Sequence, residues 1–199
     1  MEQLERIKSS SQFKVEIFAH SEEKKPIHKI EYGIGPKKIL IWTQMHGNEP
    51  TATMALVDVL NFLMNEGDTY QSLRNSIYQN CTLLMIPMLN PDGAERFSRR
   101  NALGIDMNRD VLKLQSIEMS SFIDLFKDFK PHWGFNLHDQ RNFFSVGNSP
   151  CPATISFLSA SSDEGRSINP TRLQSMQMVM ALSDLVEMES ECHASRYSD

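Results

Sequence analysis

Two short apolar runs constrain this chain more than any other feature: Lys38 to Gln44 (KILIWTQ) and Thr82 to Leu89 (TLLMIPML). Each has the length of a strand, is rich in bulky residues and lacks the polar alternation of a half-exposed strand. Each therefore reads as a strand buried on both faces. Such strands need helices to cover them. Pro50 opens a stretch in which Ala52, Ala55, Leu56, Val59, Leu60 and Leu63 recur at helical spacing. Ile117 to Phe129 places Ile117, Phe122, Leu125, Phe126 and Phe129 on a broad apolar face, and a further helix runs from about Thr171 to Glu189. Residues 13–18 and 27–34 read as short strands, the second leading into a turn around Gly35-Pro36. His132 to His138 and Arg141 to Val146 read as two more. The alternation implies an α/β fold with a mixed, largely parallel sheet and helices on both faces. In open sheets of this kind ligands gather beyond the carboxyl ends of the strands.

A length of 199 residues suits a single domain, with residues 1–12 expected to be poorly ordered. A 40% hydrophobic and 23% charged composition excludes a disordered chain. The net charge of −5 argues against nucleic-acid binding, which needs a basic footprint. No apolar run reaches membrane-spanning length. The start, MEQLERIKSSSQFKVE, lacks an apolar core behind a basic beginning and is not a secretory leader, so the expectation is a cytoplasmic protein, or else one whose leader lies outside this sequence. Cys81, Cys151 and Cys192 are widely spaced, which fits a reducing compartment better than a disulfide framework.

The chemistry concentrates at strand ends. His46-Gly47-Asn48-Glu49 follows the first buried run, and a glycine turn there can swing His46 and Glu49 towards one point. Zinc accepts imidazole nitrogen and carboxylate oxygen, and a catalytic site uses three protein ligands with one position left open. Alone, His-x-x-Glu is a weak signal and suits a surface turn, or a carboxylate at a helix N-terminus, better than a metal site. In His132 to His138 the period of two puts His132, Gly134, Asn136 and His138 on one face, with His138 at the carboxyl end. His132, at the opposite end, reads as structural. Between the two blocks, Asn90-Pro91-Asp92-Gly93 reads as a tight turn after a buried strand. Four arginines, Arg96, Arg99, Arg100 and Arg109, then fall within one loop of an acidic protein. Guanidinium groups bind carboxylates bidentately, so the loop suits a carboxylate pocket, or a solvated loop with local Asp partners.

Taken together and in this order, HGNE, NPDG, RRN, GIDMNR and NLH resemble the carboxypeptidase A/B-type zinc peptidases, bacterial branch, from about Leu40 to about Val146. The resemblance implies one zinc ion held by His46, Glu49 and His138. It implies that Arg99, with Arg100 as the alternative, polarises the scissile carbonyl and stabilises the oxyanion. It implies that Asn108 and Arg109 hold the substrate's free C-terminal carboxylate. The activity implied is removal of a C-terminal residue from a peptide or peptide-like substrate, with zinc activating water.

The family's general base is a glutamate on a strand well downstream of the third ligand. Here the residues after His138 offer Glu164, Glu187, Glu189 and Glu191, none of which follows a buried strand, so none is assigned. The chain stops at Asp199 without the further strands and helix of the family. It is therefore expected to be an N-terminal portion of the domain, inactive by itself. Two alternatives stay open: a zinc amidohydrolase of the aspartoacylase and desuccinylase type, and a non-catalytic zinc- or peptide-binding module.

Overall fold

The computed structural model describes residues 2–140, 145–146, 148–161, 163–189 and 193–197. They form helix α1 (Glu2–Lys8), strands β1 (Phe13–His20), β2 (Pro26–Tyr32) and β3 (Lys37–Thr43), helices α2 (Thr51–Met64) and α3 (Gln71–Asn80), and strand β4 (Cys81–Ile86). Helix α4 (Pro91–Glu95), a 3-10 turn (Met107–Arg109), helix α5 (Ile117–Phe129), strands β5 (Trp133–Leu137) and β6 (Ile155–Phe157), helix α6 (Pro170–Glu189) and strand β7 (Ala194–Arg196) follow. Where one domain is expected, the chain divides into two compact units, Met1–Asp139 and Gln140–Asp199. Residues 1–12, expected to lack order, include α1, which packs Ile7 into the core of the first unit.

The first unit is a five-stranded sheet in the order β1-β2-β4-β3-β5. The pairs β1/β2 and β2/β4 are antiparallel, whereas β3 pairs in parallel with both β4 and β5. The expected α/β class and mixed sheet hold. The two buried runs are the central strands β3 and β4, in register with Leu40 beside Leu84 and Trp42 beside Ile86. Period-two alternation sorts their side chains between two cores. Ile39, Ile41, Leu83 and Met85 join Leu56, Leu60 and Leu63 of α2 on one face. Leu40, Trp42, Leu84 and Ile86 join Met119 and Phe122 of α5 on the other, with the Trp42 and Phe122 rings 5.0 Å apart. Helices on both faces explain why neither strand carries polar alternation.

Helix α3 has no counterpart among the helices expected from apolar spacing. Its sequence, QSLRNSIYQN, turns a polar group inward: Arg74 is 2% exposed, pairs with Asp68 and lies 5.2 Å from the centroid of the Phe62 ring. Of the expected strand at Arg141 to Val146, residues 141–144 lie outside the described residues. Ser145 makes an isolated antiparallel bridge with Pro152. In the second unit β6 and β7 pair in parallel, from Ile155 beside Ala194 to Phe157 beside Arg196, and α6 confirms the helix read near Thr171 to Glu189. Among the described residues no helix is long and apolar enough to cross a membrane.

Candidate metal centre

Beyond the carboxyl end of β3 the chain must turn sharply to deliver HGNE. Gln44 takes a left-handed φ of 49°, and its side-chain amide donates to the Gly47 carbonyl at 2.8 Å. The turn is pressed against NPDG so closely that a Cβ on Gly47 would lie 2.0 Å from the carbonyl carbon of Gly93. A Cβ on Gly93 would in turn meet Asn90 Nδ2 at 2.5 Å and the Arg100 carbonyl at 2.7 Å. Both glycines are therefore needed for backbone to meet backbone. Asn90 binds the two turns: its Oδ1 accepts from Gly93 N–H at 2.9 Å and its Nδ2 donates to the Met45 carbonyl at 3.3 Å. Asp92, fully buried, takes Ser21 Oγ at 2.8 Å, Glu23 N–H at 3.1 Å and Lys25 Nζ at 2.9 Å. NPDG is thus the opening of helix α4, not only the tight turn its composition suggests.

His46 and Glu49 are buried, while the His138 side chain is 30% exposed. His46 Nδ1 lies 2.9 Å from Glu49 Oε1, and His138 Nδ1 lies 2.7 Å from Glu49 Oε2. One ligand atom from each residue falls within 4.8 Å of the others, and the two imidazole rings are 4.7 Å apart. His138 reaches this point because β5 pairs in parallel beside β3, so both histidines leave the sheet at the same end. Asp139, directly after it, accepts from Thr51 N–H at 3.1 Å and Thr51 Oγ1 at 2.9 Å, capping α2 and tying its start to the end of β5. Burial opposes the charge on Glu49, but its bonds to His138 and His46 outweigh this and bring its pKa down to about 2. The carboxyl is therefore a ready anion in the middle of two imidazoles.

Arg99 points into the same cluster, with Nη1 3.1 Å from His46 Nδ1 and 3.7 Å from Glu49 Oε1. Its Nε and Nη2 donate to Asp106 Oδ2 at 3.0 and 2.9 Å. Asp106 Oδ1 meets His46 Nε2 at 3.2 Å. A carboxylate on one imidazole nitrogen leaves the other as an acceptor for a metal. Two nitrogens, one carboxylate and this orientation fit a zinc site. Asp106 is the member of this cluster that sequence reasoning missed. Its one signal is its place in GIDMNR, two residues ahead of an Asn-Arg pair whose own chemistry is the more conspicuous.

The other candidates are not part of the ligand cluster itself, although the Asn108 N–H donates to Asp106 Oδ1 at 3.0 Å. Arg100 is exposed and donates to the Gly104 carbonyl at 2.7 Å, so it holds its own loop. Asn108 is half-buried and Arg109 exposed on the 3-10 turn, where Arg109 forms no ion pair among the described residues. His132 Nδ1 accepts from Lys38 N–H at 3.0 Å, a structural role at the far end of β5. Glu164 is exposed in a turn and Glu187 exposed on α6.

The family described as zinc carboxypeptidase matches residues 1–183. A carboxypeptidase 2 of Trichophyton rubrum is 31% identical over 105 residues, covering 52% of this chain and 19% of that protein. A solved metallo-carboxypeptidase from Pseudomonas aeruginosa, in complex with (2-guanidinoethylmercapto)succinic acid, aligns with a TM-score of 0.72 at 19% identity, over 92% of this chain and 47% of that one. A metallo-carboxypeptidase from Burkholderia cenocepacia aligns with a TM-score of 0.65 at 22% identity, over 70% and 39% respectively. At such identities the solved structures speak for the fold. The chain spans about a fifth of the length of the fungal relative and under half of these solved chains.

Proposed function

This chain belongs to the zinc carboxypeptidase family, and from that membership we propose that it forms the zinc-holding and substrate-orienting part of an enzyme that removes the C-terminal residue of a peptide or peptide-like substrate. The observation that carries this reading is the convergence of His46, Glu49 and His138 within 4.8 Å, with Arg99 reaching the same point. These three residues hold one zinc ion, which when bound polarises a carbonyl and lowers the pKa of water. Asp106 holds the His46 ring with Nδ1 facing the ligand point. Arg99 donates N–H groups to the scissile carbonyl oxygen as negative charge develops there, and it is preferred to Arg100 because Arg100 is engaged with Gly104. Asn108 and Arg109 take the free C-terminal carboxylate, for which the exposed guanidinium of Arg109, without an ion pair among the described residues, is suited. The organic acid bound to the Pseudomonas protein agrees with a site that accepts carboxylates. The base that completes the reaction is not assigned to a residue of this chain.

The test begins with metal analysis. The protein dialysed against zinc is expected to retain one ion per chain, and His138→Ala to bind it orders of magnitude more weakly. Equal zinc in both would sink the ligand set. In a catalytically competent form that also carries the general base, activity with zinc is then compared on a blocked dipeptide, its C-terminal amide and an N-acyl amino acid. Preference for the free-acid dipeptide supports the reading. Equal cleavage of acid and amide removes the carboxylate clamp, and preference for the N-acyl amino acid moves the reaction to the deacylase class.

A further inference from the structure

The loop between Arg99 and Asp106 is held from inside by a side chain with no place in the ligand set. Asn101, 5% exposed, accepts at Oδ1 from the N–H of Leu103 at 3.1 Å and of Ile105 at 2.9 Å. Its own N–H donates to the Ile105 carbonyl at 3.0 Å, and its carbonyl accepts from Gly104 N–H at 3.0 Å. Residues 101–105 are thereby closed on Asn101, with Arg99 and Asp106 at the neck. Asn101 Nδ2 donates to Oε2 of Glu118 at 3.2 Å. Glu118, fully buried in the first turn of α5, accepts at Oε1 from Glu22 N–H at 3.3 Å.

A buried carboxylate is costly unless hydrogen bonds replace its water, and a plain surface loop has no need of one. What the anchor does hold in place is the neck. The Arg99–Asp106 pair is part-exposed, with side chains 34% and 19% accessible, and such pairs contribute little rigidity alone. Asp106 must nevertheless stay within hydrogen-bond reach of His46 Nε2. We propose that Asn101 and Glu118 are positioning residues of the metal centre: they lock the 99–106 loop to α5 so that Asp106 orients His46 and Arg99 stays against the ligand cluster. This rests on the zinc reading above and deepens it.

The pair can be swapped without changing its shape. Asn101→Asp sets carboxylate against carboxylate, and Glu118→Gln sets amide against amide. The double variant restores one donor facing one acceptor. In it the carboxylate introduced at position 101 still accepts from Leu103 and Ile105, and the amide oxygen introduced at position 118 still accepts from Glu22. Zinc affinity, measured by competition with a chromophoric chelator on protein shown folded by circular dichroism, should fall about 10–100-fold in each single variant. The double variant should recover to within a few-fold of wild type. Singles that bind zinc like wild type, or a double variant no better than the singles, would overturn the proposal. A role confined to folding would lower the unfolding midpoint while leaving the affinity of the folded protein unchanged. Failure of the zinc reading is separable: His138→Ala would then bind zinc as wild type does. A metal-free readout still tests the positioning. The proton of His46 Nε2 bonded to Asp106 should give a downfield NMR resonance that disappears in each single variant and returns in the double. Its persistence in the singles would refute the proposal without reference to zinc.

Discussion

Individual residues here are constrained by contacts of backbone as much as by chemistry. Gly47 and Gly93 illustrate it, since any Cβ at either position enters its neighbour. Gly47→Ala is expected to destabilise the protein by about 1–3 kcal/mol, the cost typical of overpacking, and to weaken zinc binding because His46 and Glu49 flank it. Urea unfolding and metal competition measure the two effects, and wild-type values in both would refute the close approach. The arginines should separate kinetically in a catalytically competent protein. Arg99→Ala should lower kcat, because its partner charge appears in the transition state, whereas Arg109→Ala should chiefly raise KM for free-acid substrates. The reverse pattern would exchange their roles. Asp110 carries a pH dependence remote from the ligands. Burial opposes its charge, but Gln115 N–H, Ser116 N–H and Ser116 Oγ, at 2.9, 2.9 and 2.7 Å, outweigh it and hold the carboxyl below its usual range. A depressed folded pKa means that this stabilisation is present above the unfolded value, roughly 3.9, and is lost as pH falls through the folded one. Asp110→Asn should therefore flatten the acid limb of the stability profile, measured as unfolding midpoint against pH. An unchanged limb would contradict the assignment.

Elements join through their ends. Helix α2 begins at Thr51, two residues after candidate ligand Glu49, and the Thr51 N–H takes its acceptor from Asp139, directly after candidate ligand His138. One cap thus links the two segments that carry these residues. Asp139→Ala is expected to cost about 1 kcal/mol, the usual loss of an N-cap, and to weaken zinc binding as β5 and α2 loosen. A full loss of stability with unchanged zinc affinity would show the cap to serve α2 alone. Helix α3 makes the opposite point. Its inward group is Arg74, held by Asp68, so the helix escapes any search for apolar spacing.

Across the molecule, the two edges of the sheet differ in chemistry. β1 carries Lys14 and Glu16, paired with each other, and Glu16 also pairs with Lys29 of β2. β5, at the other edge, is Trp133-Gly134-Phe135-Asn136-Leu137, without a charge, and pairs among the described residues with β3 alone. An uncharged edge is a template for another strand. The isolated chain should self-associate at micromolar concentration, and Phe135→Lys should reduce this, as read by sedimentation velocity. A monomer at all concentrations would rule out pairing through β5.

By itself the sequence determined the α/β class, the central strands β3 and β4, the helices α2, α5 and α6, and the residues able to hold a metal. Those features rest on local periodicity and on side chains whose donor chemistry is specific, both readable from order along the chain. Tertiary structure alone decided what depends on two distant segments meeting. Arg99 was favoured over Arg100 by which guanidinium reached His46. Asp106 became part of the centre because Oδ1 meets His46 Nε2 across a separation of 60 positions. Asp139 capped a helix that begins 88 positions earlier. Short-range pattern carries no record of such pairings, because hydrogen-bond partners are chosen by distance in space after the strands have set their register.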